Sequence, residues 1–226
     1  MKSFISRIKS VTNIICVSFA VLTILSVIAS LWASHSRPFL IVTSTGFVLT
    51  SLTAFINHIS RYGVFVVVAL IFCWFGDFLG HYNFIASLLA FLLGHLAFII
   101  AFFFHGFNKK GLFVSLGIFL ISSSVIFHWL YPFIPDFDKI FVSIYMIVIT
   151  AMVVLALGTR SSLSQMIISL GALLFYISDI FVARWKFVDQ NSVNAFFCYP
   201  LYYTSCLLFA FSILVYRKQV SRSKSL

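Results

Sequence analysis

A chain of 226 residues that is 62% hydrophobic and only 9% charged lies far from the composition of a soluble domain, where about a quarter of the residues carry charge. A mean hydropathy of +1.12 makes lipid its solvent, and nearly every residue is needed to cross the bilayer or join crossings, which excludes a separate water-soluble domain. The 15 Lys and Arg against 5 acidic residues give +10, but the basic residues gather at the termini and in short loops, a pattern of cytoplasmic retention beside anionic lipid that argues against nucleic acid as a partner.

A helix needs about 20 apolar residues to cross hydrocarbon, and eight runs meet that length: 11–33, 38–57, 62–80, 84–104, 111–131, 139–157, 163–184 and 196–216. The chain is therefore expected to be an all-α polytopic membrane protein forming one integral membrane domain over residues 1–226. The first run follows Lys2, Arg7 and Lys9 as in a signal peptide, yet its length and its lack of an A-x-A site predict an uncleaved first span. Arg37-Pro38 opens the second. The third carries Asp77 near its end with His81 a turn later, the fourth His95, the fifth His128 and the seventh Asp179. Tyr199, Tyr202 and Tyr203 begin the eighth, at an interface where aromatic belts are ordinary, although Tyr202 or Tyr203 can also hydrogen-bond inward. Cys16, Cys73, Cys198 and Cys206 fall in apolar runs without CxxC spacing and read as packing residues.

With the N-terminus inside, eleven basic residues face the cytoplasm and only Arg37, Lys139, Arg184 and Lys186 face out, which predicts that both termini are cytoplasmic, as in a multi-pass protein of a bacterial inner membrane. The segment 72–78 also matches 174–180 at an offset of 102 residues. Four spans separate the two, and an even number preserves direction, so two parallel four-helix halves are expected.

Ionisable groups inside hydrocarbon cost at least a few kcal/mol each, and one retained there calls for a function. Asp77 stands 15 residues into its span, about 22 Å at 1.5 Å per residue. Asp179 stands 16 residues into a span of the same direction, so the two carboxyls share a level near the outer surface. His81, His128, Arg37 and Arg184 reach the same zone, and His95 sits closer to the midplane. Two nearby carboxyls in a poorly solvated site cannot both ionise cheaply, and the proton they share supplies an acid at neutral pH. Such pairs hydrolyse acetal-like carbons through an oxocarbenium-type transition state. The plain alternative is that each Asp bridges helices, and His95 reads equally as an interhelical partner or a proton shuttle. A rival from another class is a proton-coupled or lipid-translocating transporter using the same acids. Ser124 with His128 and Asp77 with His81 hold pieces of a membrane zinc hydrolase, but no His follows His81 at the next turn, so neither metal nor cofactor is expected. Phosphate-binding glycine loops, nucleophile elbows and HExxH helices do not occur.

Across essentially the whole chain the sequence resembles the YhhN-like lysoplasmalogenases. The resemblance rests on Arg37-Pro38, Gly76-Asp77 with Leu79, Phe91 and His95, Gly171 with Phe175 and Ser178-Asp179, and Tyr202-Tyr203, in that order. It implies hydrolysis of the vinyl ether of lysoplasmalogens to a fatty aldehyde and a glycerophospho-ethanolamine or glycerophospho-choline, with a lysophospholipid substrate taken from the membrane lipid. It further implies Asp77 and Asp179 as the catalytic pair, Arg37 on the lipid phosphate, and His81, His95, Ser178, Tyr202 and Tyr203 around the substrate. Arg37 stands where the family more often has Lys, and Cys206 where it usually has Gln. Headgroup preference and oligomeric state are left open.

Overall fold

A computed structural model describes the backbone over residues 2–32, 37–160 and 163–220 and the side chains over 12–30, 38–160 and 163–216. It is all-helical: α1 Lys2–Trp32, α2 Arg37–Asn57, α3 Arg61–Leu79, α4 Phe84–Phe103, α5 Lys109–Leu130, α6 Asp136–Leu157, α7 Leu163–Ala183 and α8 Val193–Val220. All eight hold a stretch long and apolar enough to cross a membrane. A 3-10 turn, Tyr131–Phe133, follows α5, and a π-helical turn, Arg184–Val188, follows α7.

The helices take these limits because lipid offers the backbone no hydrogen-bonding partner, so orphan groups at the ends must be satisfied locally. Ser60, Asn83 and Asn108 accept from the backbone N–H of Gly63, Ala86 and Lys110 to cap α3, α4 and α5. α6 begins at Asp136, earlier than the expected 139. Pro135 pre-sets the chain there, and Asp136 and Asp138 fall at the positive end of the helix dipole. Gly106, at φ +73, turns the chain between α4 and α5. Its carbonyl accepts from the Arg160 N–H at 3.0 Å and the Asn108 N–H donates to the Gly158 carbonyl at 2.8 Å, which ties that loop to the one after α6.

Six helices close a ring in the order α2, α3, α4, α6, α7, α8, with α3 also touching α8, while α1 lies outside against α2 and α8 and α5 outside against α6. Exchanging every helix for the one four places along maps this ring onto itself, although the α3–α8 and α1–α8 contacts have no comparable counterpart in α4–α7 and α4–α5. Helices in lipid associate through close packing and polar contacts across small residues, since the hydrocarbon is as apolar as their side chains. The pairs α3–α4 and α7–α8 use one device for this. The Ser87 hydroxyl of α4 donates to the Gly76 carbonyl of α3 at 2.7 Å, and the Ser205 hydroxyl of α8 to the Gly171 carbonyl of α7 at 2.7 Å. All four cysteines are buried, while Phe113 and Phe137 are among the large apolar side chains that stay exposed toward lipid.

Candidate active site

Asp77 lies in the last turn of α3, the negative end of the helix dipole, where a carboxyl group needs hydrogen-bond donors from elsewhere. Two neighbours supply them. The Ser44 hydroxyl of α2 bonds Asp77 Oδ2, and the Tyr202 hydroxyl of α8 donates to the same oxygen at 3.0 Å. Tyr202 is buried, because α8 closes the ring and presents this face inward. The belt placement expected for Tyr202 and Tyr203 therefore gives way to an interior one. Tyr203 is also buried and donates to the Leu40 carbonyl at 3.4 Å.

Asp179 lies near the end of α7, and its Oδ2 accepts from the Tyr145 hydroxyl of α6 at 2.6 Å. His95 of α4, fully buried, places Nε2 2.8 Å from Tyr145 Oη and 3.7 Å from Asp179 Oδ2. Tyr145 has one proton and gives it to Asp179, so Nε2–H must be the donor to Tyr145, which assigns the tautomer of His95 from the network. Its Nδ1 is buried without a partner among the described residues. His95 thus joins α4 to α6, the interhelical one of the two roles open for it in the sequence, and reaches the Asp179 carboxyl through Tyr145.

Both carboxyls line one cavity of about 460 Å³, a size suited to a small-molecule ligand. The rings of Phe91 and Tyr202 line it, and the buried Phe175 ring packs edge-on against both, with the three centroids 5.2–6.3 Å apart. Ile126, Leu130, Val142, Met146 and Ile149 form an apolar side from α5 and α6. Gly80, His81, Lys186 and Gln190 border it toward the loops that follow α3 and α7, at the end of the bundle away from both termini.

The remaining expected residues are placed as follows. His81 lines the cavity, but not from a helical face. α3 ends at Leu79, whose carbonyl accepts from the Tyr82 and Asn83 N–H groups at 2.9 Å, so His81 sits in the turn before the Asn83 cap. Ser178 borders the cavity, yet its hydroxyl donates to the Cys198 carbonyl at 3.2 Å and serves the α7–α8 contact. His95 lies behind Tyr145 and does not line the cavity. Arg37 opens the backbone of α2, and its side chain lies outside the described residues. His128 is exposed on α5 and takes no part. Among the described residues no three His, Cys, Asp or Glu side chains converge as a metal ligand set.

Sequence reasoning passed over Ser44, Tyr145 and Lys186. Tyr145 carried a usable signal: it stands nine residues into α6, too deep for an interfacial belt. Ser44 carried none, being one of several hydroxyl residues on α2.

No curated protein and no solved structure matches the chain. The family model described as the YhhN family matches residues 32–213, a stretch that includes Ser44, Asp77, His95, Tyr145, Asp179 and Tyr202, and the chain belongs to the YhhN family.

Proposed function

We propose that the protein is a lysoplasmalogenase, an ether hydrolase that cleaves the vinyl ether of a lysoplasmalogen inside the membrane. The observation that carries this reading is the convergence of two hydrogen-bonded carboxyls, Asp77 and Asp179, on one largely apolar cavity. Family membership supports it, since YhhN-like lysoplasmalogenases act on this bond. In the proposed reaction one carboxylic acid delivers its proton to the β-carbon of the vinyl ether, which leaves an oxocarbenium ion at the carbon bonded to oxygen. The second, ionised carboxyl stabilises that cation and takes a proton from the water that captures it. The resulting hemiacetal returns a proton to the glycerol oxygen as its C–O bond breaks, giving fatty aldehyde and glycerophospho-base. Water is consumed once, and neither oxidant nor metal enters the balance.

The positive-inside bias puts the cavity mouth toward the outer leaflet, from which a single-chain lipid can enter sideways. Proton-coupled transport, the rival use of the same acids, calls for helices interrupted at the binding site. α3 runs without a break from Arg61 to Leu79 and α7 from Leu163 to Ala183, so that rival has no counterpart in the helices that bear the acids. The test is incubation of the purified, detergent-solubilised protein with a lysoplasmalogen and with its saturated ether analogue. Aldehyde is expected from the vinyl ether alone. Its absence from both, with the protein folded, overturns the reading.

A further inference from the structure

Four basic residues stand at the cavity end of the bundle: Arg37, Lys139, Arg184 and Lys186. Lys139 is held by Asp136 at 2.6 Å and Arg184 by Asp189 at 3.4 Å. Lys186 has no ion pair among the described residues, and it is the one Lys or Arg among the described residues that line the cavity. Its ammonium lies 4.9 Å from the centroid of the Phe84 ring, which lines the same cavity. A cation over an aromatic face holds its position while keeping its N–H donors available to an anion.

The geometry points to Lys186 as the anchor for the phosphate of a single-chain phospholipid whose chain fills the cavity, a role that rests on the hydrolase reading. Asp179, Val182, Ala183 and Lys186 all line the cavity, and their spacings of three, four and seven residues follow α7 into the π-helical turn, with Gln190 lining it from the loop beyond. Along this path Asp179 and Lys186 are separated by about 10 Å of helix rise. In a lysoplasmalogen the phosphorus and the β-carbon of the vinyl ether are separated by seven bonds, about 8 Å when extended at roughly 1.2 Å per bond. The flexible lysine stem takes up the difference. A phosphate on Lys186 therefore sets the reacting carbon level with Asp179, and the Gln190 amide beside it can contact the ester oxygens. The π-helical turn matters here, because its wider winding carries Lys186 around to the mouth immediately after the regular helix ends at Ala183.

Three ligands test this by binding alone, titrated into protein in detergent and followed by the change in tryptophan fluorescence, to which Trp185 contributes from the cavity lining: a saturated alkyl lysophospholipid, an alkylglycerol without phosphate, and glycerophosphocholine without a chain. The wild type is expected to bind the lysophospholipid tightest. Lys186→Met should weaken it about tenfold, the equivalent of one charged contact, and leave the alkylglycerol unchanged, while Lys186→Arg should restore most of the loss. Unchanged affinity in Lys186→Met, or equal losses for both chain-bearing ligands, overturns the assignment. So does glycerophosphocholine binding as tightly as the lysophospholipid, which would mark an anion site unconnected with the cavity. None of these ligands is hydrolysed, so a failure of the hydrolase reading appears in the aldehyde assay and a failure of Lys186 appears here.

Discussion

The halves around Asp77 and Asp179 are built to the same plan and finished with different chemistry. Asp77 on α3 receives Ser44 from α2 and Tyr202 from α8, while Asp179 on α7 receives Tyr145 from α6 and, behind it, His95 from α4. Advancing each helix by four converts the first set of helices into the second. The fold thus gives each carboxyl polar neighbours from equivalent helices, and the side chains break the symmetry: Asp77 accepts from two hydroxyls and Asp179 from one, with His95 bonded to that one donor. Among the described residues the hydrogen-bond donors to Asp77 are neutral hydroxyls, whereas the donor to Asp179 is itself bonded to an imidazole. The two carboxyls thus sit in unlike surroundings, a difference on which the proposed division into acid and base draws.

The largest effect that can test this comparison comes from the acids themselves. Asp77→Asn and Asp179→Asn keep the shape and remove the titrating oxygen, so each should lower aldehyde release by about 10²–10⁴-fold while leaving the detergent-extracted protein monodisperse. Full activity in either variant would remove that carboxyl from the mechanism. Next come the donors. Tyr145→Phe strips Asp179 of its bond and leaves the His95 N–H unpaired in the interior, and it should cost about 10–100-fold in kcat/KM, whereas Tyr202→Phe leaves Ser44 on Asp77 and should cost several-fold less. Equal losses would mean that the two sides are energetically alike. His95→Gln, which keeps an N–H for Tyr145, should retain more activity than His95→Leu if the imidazole acts by holding Tyr145.

The smallest effect concerns the shared helix-pairing device. A Cβ on Gly76 would fall 2.6–2.7 Å from the Phe91 ring, which backs on Tyr202 and Phe175, but one on Gly171 would meet Phe209 at an ordinary 3.4 Å. Gly76→Ala should therefore destabilise by about 1–3 kcal/mol and disturb the site, and Gly171→Ala should be nearly neutral. Thermal unfolding of both variants in the same detergent separates them.

Much of this was legible in the residues. Eight spans could be read because lipid enforces length and hydropathy together, and the ends of α2 and α4 follow from where polar residues return. Asp77 and Asp179 stood out because a carboxyl in hydrocarbon is costly, and counting residues along the helices set each near the end of its span, where both line the cavity. Tyr145 and Ser44 were hidden because uncharged hydroxyls are cheap in a membrane helix and do not advertise a partner. The burial of Tyr202 was hidden because belt and core tyrosines look alike until α8 is known to close the ring. The turn at His81 depended on the Asn83 cap competing with one more turn of α3, a balance of local bonds that spacing does not decide. Cys206, expected as a packing residue, is buried in the core on α8, one turn after Tyr202.

The most direct measurement of the central claim is the isotopic composition of the aldehyde released from a lysoplasmalogen in D₂O, trapped at once as its oxime and read by mass spectrometry. Protonation of the vinyl ether by the carboxyl pair predicts one deuterium on the carbon next to the carbonyl in the wild type and product lower by about a hundredfold or more from Asp77→Asn and Asp179→Asn. Aldehyde without that deuterium, or undiminished labelled aldehyde from both Asn variants, would contradict it.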